Sequence, residues 1–382
     1  MIVGAGVVGL AAAWRTQRAG LRTVVVERAH AGAGASGVAA GMLAPVTEAD
    51  FGEDAALALN LAGRERWPAF AAELSERSGL DTGYRESGAL TVAADRDDAE
   101  ELRRLVELGR ALGLDARPVG ARECRRLEPG LSPRVRGGIE APHEAHVNPG
   151  ATVAALRHAF VAEGGELLEG AGVAGVDLGC GGRVEGTTLA GGRRLACETL
   201  VGAAGAWSPA LVGLPPETLP PVRPVKGQIL TLRARPEAAP LAQRLVLTPR
   251  CYAVSRPGGQ TVVGATSEER GFDVRVTAEG VFRLLEAARE VLPDVDELEL
   301  VEARAGLRPV TPDNAPVVGR TPEVEGLVWA TGHGRNGVLL APITAEAVAA
   351  LARGEQIPEP LERFGPGRFG KRARTPTAVA AA

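Results

Sequence analysis

The sequence predicts a chain of two joined domains, α/β plus α+β: a discontinuous, Rossmann-like nucleotide-binding domain and a second domain built on an antiparallel sheet. Three observations predict it. Met1-Ile2-Val3 runs into Gly4-Ala5-Gly6-Val7-Val8-Gly9, a helical stretch follows to Ala19, and Thr23-Val24-Val25-Val26 reads as a second strand. Residues 200–208 form a buried strand that ends in tiny residues, giving a second glycine-rich strand end that shares a crevice with the first. After the proline pairs at 215–216 and 220–221, strand-like segments 228–232, 252–254 and 261–263 appear, the last two joined through Pro257-Gly258-Gly259 as a hairpin.

Each glycine of the opening turn has its own task. Gly4 permits the tight turn, Gly6 lets backbone approach a pyrophosphate, and Gly9 lets the helix pack against the sheet. Val7 and Val8 sit in the turn, and the helical stretch that follows from Leu10 points its N-terminal N–H groups at the phosphates. Glu27 ends the second strand, about 20 residues on, where its carboxylate accepts hydrogen bonds from ribose hydroxyls and repels a 2′-phosphate. Arg28 follows it. A strand end in solvent is the plain alternative for Glu27, and the complete strand, turn, helix, strand unit decides against it. The opening strand has only about three residues where about five are usual.

Residues 32–44 are mostly small, with no period that would bury a face. They predict a stretch on which a flat cofactor lies against backbone at Ala35, Ala40, Gly41 and Met42, with Ser36 near the pyrophosphate. Helical spacing predicts surface helices over 55–74 and 97–112. Residues 166–173 predict a strand and bend reaching Val173, and Gly205 and Trp207 close the buried strand before them in the crevice. Residues 281–291 predict a helix and 326–332 a buried strand. A helix over 343–352 accommodates Pro342 in its first turn. From about Gly365 onward, Arg368, Lys371, Arg372 and Arg374 predict a solvated, disordered tail.

The 382 residues suit two domains rather than one core. A formal net charge of −4 gives no basic field for counterion release, which argues against nucleic acid as a partner. Cys124, Cys180, Cys197 and Cys251 lie far apart and read as reduced thiols of a cytoplasmic protein, with no C-x-x-C pair for a metal. His30, His143, His146 and His158 have no ligand spacing. No apolar run approaches the roughly 20 residues that span a bilayer.

Taken in order, the opening turn, Ala39-Ala40-Gly41-Met42-Leu43, Pro224-Val225-Lys226-Gly227-Gln228, Val263-Gly264-Ala265-Thr266, Gly306-Leu307-Arg308-Pro309 and Gly332-His333-Gly334-Arg335-Asn336-Gly337 span nearly the whole chain. The sequence resembles the flavoprotein family of D-amino acid oxidase, sarcosine oxidase and glycine oxidase, with the glycine oxidase branch of thiamine biosynthesis the nearest likeness. The resemblance implies an FAD-binding domain from residues 1–83, 147–218 and 302–365, a substrate domain from 84–146 and 219–301, and a tail over 366–382. It implies noncovalent FAD, because the sarcosine oxidase branch tethers its flavin through a cysteine near a stretch that here reads Ala303-Arg304-Ala305-Gly306-Leu307-Arg308.

Carried onto this chain, the resemblance makes Arg308 the anchor of a substrate carboxylate, by two parallel charge-assisted hydrogen bonds. A pairing of Arg308 with Glu302 is the competing structural role. Tyr252 adds a phenolic hydrogen bond to the same carboxylate, and Arg335 stands near the substrate or, equally, on the surface. The backbone of His333 contacts the flavin, without acid-base work. Gly334, Asn336, Gly337, Val338 and Leu339 present the positive end of the last helix to the reduced ring. The implied reaction is hydride transfer from the Cα of glycine or a small amine to flavin N5, giving glyoxylate, ammonia and hydrogen peroxide, with the imine serving thiazole assembly. Ser267 stands where glycine oxidase has a methionine, which leaves substrate size open. Expected partners are a small amino acid, oxygen and further copies of the chain. Competing readings are oxidases or dehydrogenases of sarcosine, D-amino acids or proline, a tRNA-modifying flavoprotein, and a noncatalytic flavin-binding module.

Overall fold

The computed structural model describes residues 1–370. A six-stranded sheet forms around the opening turn. Its strand order is Val317–Arg320, Leu327–Thr331, Leu200–Gly202, Ile2–Val3, Val24–Val26 and Glu166–Leu168. All neighbours are parallel except the first pair. Such a sheet is buried on both faces, and the central strands are accordingly runs of Val, Ile, Leu and Trp without alternation.

Helix Val7–Arg18 covers one face through Leu10, Ala11, Ala12, Ala13 and Trp14, all fully buried. The run of alanines lets helices Pro149–Ala162 and Ala341–Arg353 approach it closely. Helix Asp54–Ser78 is not the surface helix that its charge content predicts. Leu59, Trp67 and Leu74 are fully buried, Trp67 and Phe70 meet edge to face at 5.4 Å, and Trp67 Nε1 donates to Leu339 O at 2.9 Å. Its arginines are accommodated at the rim by ion pairs, such as Arg66 with Glu346 at 2.7 Å. Helix Arg96–Ala111 does lie on the surface, capped by Asp95, whose carboxylate accepts the N–H groups of Asp97 and Asp98.

The second domain holds an eight-stranded sheet, ordered Glu299–Val310, Arg223–Arg233, Gln260–Gly264, Tyr252–Ser255, Leu245–Leu247, Ala89–Ala93, Gly137–Ala141 and Arg117–Gly120. Only Leu245–Leu247 and Ala89–Ala93 run parallel. Gly258 and Gly259, in the turn that joins Tyr252–Ser255 to Gln260–Gly264, both take positive φ, +82° and +75°, a region that favours glycine. A smaller antiparallel sheet, Val173–Leu178, Val184–Leu189 and Arg194–Ala196, flanks the first domain.

Two sequence-based boundaries need correction. A division at residue 302 cuts through strand Glu299–Val310, which pairs with Arg223–Arg233 along its length, from Arg223↔Val310 to Arg233↔Glu299. Residues 302–310 therefore share the second sheet. The tail does not begin at 366: Pro366–Phe369 form a short helical turn, Pro366 is buried, and Arg368 holds Asp313 at 2.8 Å and lies over the Phe369 ring. Lys371, Arg372 and Arg374 lie outside the described residues.

No helix among the described residues is long and apolar enough to cross a membrane. The four cysteines are free. Glu144 is buried, accepts the Val46 N–H at 2.7 Å, and burial pushes its carboxyl up to about 8. Because this pKa lies above the ordinary 4.5, the native state favours the proton, and stability falls as pH rises from about 4.5 through 8. Glu144→Gln, which keeps the acceptor oxygen, is expected to flatten the decline of Tm between pH 5 and 8. An unchanged slope in thermal melts across that range would show that Glu144 does not titrate there.

Candidate cofactor and substrate site

A cavity of about 1090 Å³ runs between the two sheets. Drug-sized ligands occupy about 300–1,000 Å³, so this space suits a dinucleotide with a substrate beside it. At one end lies the opening turn. Gly4 has φ +105°, and a Cβ there would meet Ala203 O at 2.5 Å; a Cβ on Gly9 would meet Gly4 O at 2.0 Å. On Gly6 it would meet only Ser36 Oγ, at 3.2 Å, leaving this glycine's open side to the cavity. Val7 N–H donates to Ser36 Oγ at 2.9 Å, and Gly6, Val7, Val8, Ala35 and Ser36 all line the space. A lone hydroxyl at a helix N-terminus, with small residues around it, fits a phosphate group.

Glu27 is held by the N–H groups of Ala5 and Ala29, one on each carboxylate oxygen at 2.9 Å, and keeps further lone pairs facing the cavity. Beside it the Arg28 guanidinium covers the Trp207 ring at 3.9 Å, and Val173 and Gly205 complete this end. Ala40, Gly41 and Met42 line the middle. Gly41 has φ +82°, and a Cβ there would strike Val147 O at 2.2 Å. Half-buried Arg256 reaches across from the second domain and donates to Ala40 O at 2.8 Å, tying this run to the sheet opposite.

The far end gathers Arg308, Tyr252, Arg335, Glu48 and Gly227. Arg308 makes no ion pair with Glu302, which pairs with Arg304 at 3.1 Å instead. Arg308 Nη1 donates to Thr266 O at 3.0 Å, and its guanidinium lies so close over Gly227 that a Cβ there would meet Nη1 at 2.4 Å. Tyr252 is half-buried with its hydroxyl toward Gly264; desolvation pushes the phenol up to about 12, so it stays a hydrogen-bond donor at neutral pH. Arg335 is committed elsewhere in part, donating to Glu48 O at 2.9 Å and facing Glu53 at 3.3 Å.

His333, Gly334, Gly337 and Val338 line the cavity, whereas Gly9, Asn336 and Leu339 do not. Gly9 packs the helix on the turn; Asn336 is buried and its carbonyl accepts Leu340 N–H at 2.9 Å; Leu339 O is taken by Trp67. The regular last helix starts at Ala341, two residues before the 343 that its spacing predicts, and Gly334–Asn336 form a separate 3-10 turn ahead of it, with residues 337–340 as a turn between them. Fully buried His333 pairs its Nε2 with Thr344 Oγ1 at 3.0 Å, and burial pushes its pKa down to about 3, so the ring is neutral.

Glu48 is the site residue that sequence reasoning missed. Burial raises its carboxyl above the ordinary range, against the pull of Arg335 and Arg308. Its segment carries neither a period nor a motif, so nothing local marks it. Among the described residues no cluster of His, Cys, Asp or Glu could hold a metal ion.

A nucleotide cradle on a parallel sheet, joined to a cationic pocket on an antiparallel one, defines a dinucleotide-dependent oxidoreductase. The chain belongs to the FAD dependent oxidoreductase family, whose model matches residues 1–351, and it is an enzyme that uses FAD. It is similar to the glycine oxidase of Geobacillus kaustophilus, 36% identical over 369 residues and 95% of each chain. The crystal structure of that enzyme superposes with a TM-score of 0.88 over 96% of this chain and 97% of the other, at 35% identity. Iminodiacetate oxidase from Chelativorans sp. gives 0.84 at 30% identity, covering 96% and 98%. The bifunctional protein ThiO/ThiG of Trichormus variabilis is 34% identical over 377 residues, 98% of this chain and 56% of that protein.

Proposed function

We propose that the protein is a cytoplasmic oxidase of glycine and small amines, forming glyoxylate, ammonia and hydrogen peroxide. The observation that carries the reading is Arg308: a guanidinium in the cavity wall with no ion pair among the described residues, within the cationic end of a cofactor-sized space. A charged donor so placed is matched by an anionic ligand, and an amino acid carboxylate fits its fork. The Tyr252 hydroxyl adds a neutral donor to the same group. Together they fix the substrate at one end and leave its Cα directed toward the middle of the cavity, which is the positioning part of catalysis.

Held without a covalent link by the opening turn, Ser36 and Glu27, FAD would supply the acceptor for hydride and the route for the electrons to oxygen. The residues of this chain do the rest. Neutral His333 leaves no protonated imidazole in the wall, and the turn that lines the cavity through Gly334, Gly337 and Val338 leads into the last helix, whose positive end would favour negative charge on that side. The imine released from glycine would serve thiazole assembly in thiamine biosynthesis, as the resemblance implies.

The purified protein should be yellow, bleach anaerobically with glycine, and release peroxide in air. Assayed side by side, glycine should exceed sarcosine, D-alanine and proline in kcat/KM. A yellow protein that bleaches with one of the other amines and not with glycine would move the substrate assignment; one that bleaches with none would end it.

A further inference from the structure

Behind Arg308 lies a polar network in which Thr266 reaches the cavity wall while Lys226, Gln228 and Glu268 lie behind it. Thr266 O accepts the Arg308 Nη1 hydrogen at 3.0 Å. The Thr266 hydroxyl donates to Glu268 Oε1 at 2.6 Å and accepts from Gln228 N at 2.9 Å. Gln228 Nε2 donates to the same Glu268 oxygen at 2.7 Å. The other carboxylate oxygen of Glu268 faces Lys226 Nζ at 3.4 Å, and Lys226 is 0% exposed. The backbones of Lys226 and Glu268 exchange both hydrogen bonds, each at 2.9 Å.

A fully buried lysine is rare and is costly to the fold unless an anion faces it. Nothing about a strand interior calls for one at 226, where a leucine would pack. What the lysine does is hold Glu268 ionised and in place: burial alone would raise that carboxyl, but hydrogen bonds from Thr266 and Gln228 and the facing Lys226 ammonium bring it below the ordinary range. Glu268 in turn fixes the Thr266 hydroxyl, and so the turn whose carbonyl grips Arg308. On its other side Arg308 rests on Gly227, the residue between Lys226 and Gln228. The guanidinium is thus clamped between two backbone segments that one ion pair locks together.

We propose that Glu268, with Lys226 behind it, is a positioning residue that sets the angle of the Arg308 fork through Thr266. This rests on the reading of Arg308 as the carboxylate anchor. A guanidinium freed from the clamp must be ordered anew each time substrate binds, which weakens carboxylate capture and leaves the chemistry at Cα unaltered.

The test uses the flavin-loaded enzyme with Thr266→Val, Thr266→Ser and the double variant Lys226→Met/Glu268→Met, which removes the buried pair without stranding one charge. Two quantities are read: KM and kcat for glycine, and the Kd of acetate, a carboxylate without an amine, from its perturbation of the flavin spectrum. Thr266→Val and the double variant should raise KM and the acetate Kd together, about tenfold, with kcat within about threefold of the parent. Thr266→Ser, which keeps the hydroxyl, should restore both to within about threefold. The inference is overturned if variants that retain flavin keep the parent KM and Kd, or if only Tm falls. Arg308→Ala run in parallel separates the two readings: if it leaves KM unchanged the anchor itself is wrong, whereas if it raises KM and Thr266→Val does not, only the clamp is wrong.

Discussion

Arg308→Ala is expected to raise KM for glycine by a factor on the order of 10²–10³ while the protein stays yellow. A desolvated charged pair that loses one partner costs about 2 to 5 kcal/mol. The flavin should stay because the residues that cradle its nucleotide end, from Gly4 to Trp207, lie at the opposite end of the cavity. Steady-state kinetics with glycine and a visible spectrum after dialysis check both halves. Arg335→Ala is the contrasting control, with a smaller effect expected, because that guanidinium is already engaged by Glu48 O and Glu53. If the two variants behave alike, the carboxylate is not held chiefly by Arg308.

The second large effect is expected at the opening turn, where two alanine substitutions should fail in different ways. Gly9→Ala places a methyl 2.0 Å from Gly4 O, a backbone atom that cannot step aside, so the first helix must shift off the sheet. Overpacking costs about 1 to 3 kcal/mol or more, and the apoprotein Tm should fall by several degrees. Gly6→Ala meets only Ser36 Oγ at 3.2 Å, so the apoprotein should melt within about 2 °C of the parent. Its methyl instead occupies the side from which a pyrophosphate approaches, and the Kd for FAD should rise at least about tenfold. Thermal melts of the apoprotein and flavin titration by fluorescence distinguish the two. Parent-like FAD affinity in Gly6→Ala would mean that the cofactor does not lie against this turn.

The contrast between these glycines shows what a sequence can and cannot convey. The turn was legible because its spacing serves a local geometry, and Gly4, Gly9, Glu27 and Ser36 all take up contacts within or beside one βαβ unit. The hairpin through Gly258 and Gly259 was legible for the same reason. Strand Arg223–Arg233 was read as shorter than it is because Pro224 and Lys226 break an apolar run, and only Glu268, from another strand's end, makes that lysine tolerable. Helix Asp54–Ser78 carries Arg64, Glu65 and Arg66 at its centre, and its burial depends on partners contributed by Leu339 and by Glu346 of the last helix. Glu48 is defined by which arginines face it, a matter of tertiary placement alone. Arg308 was found by likeness to a family; that it lacks an acidic partner could be learned only from the fold.

The parallel sheet has Ile2–Val3 near its middle and Leu327–Thr331 two strands away, with Leu200–Gly202 between them. During synthesis, strand Ile2–Val3 therefore waits for Leu200–Gly202 and Leu327–Thr331 before its layer can close, and the turn behind it cannot grip a nucleotide until then. Contacts so distant in sequence form slowly and leave apolar edges open meanwhile. Flavin available at the moment of release would drain that half-built population toward the native state, so the yield of active protein in a cell should depend on its riboflavin supply more than the stability of the finished enzyme does.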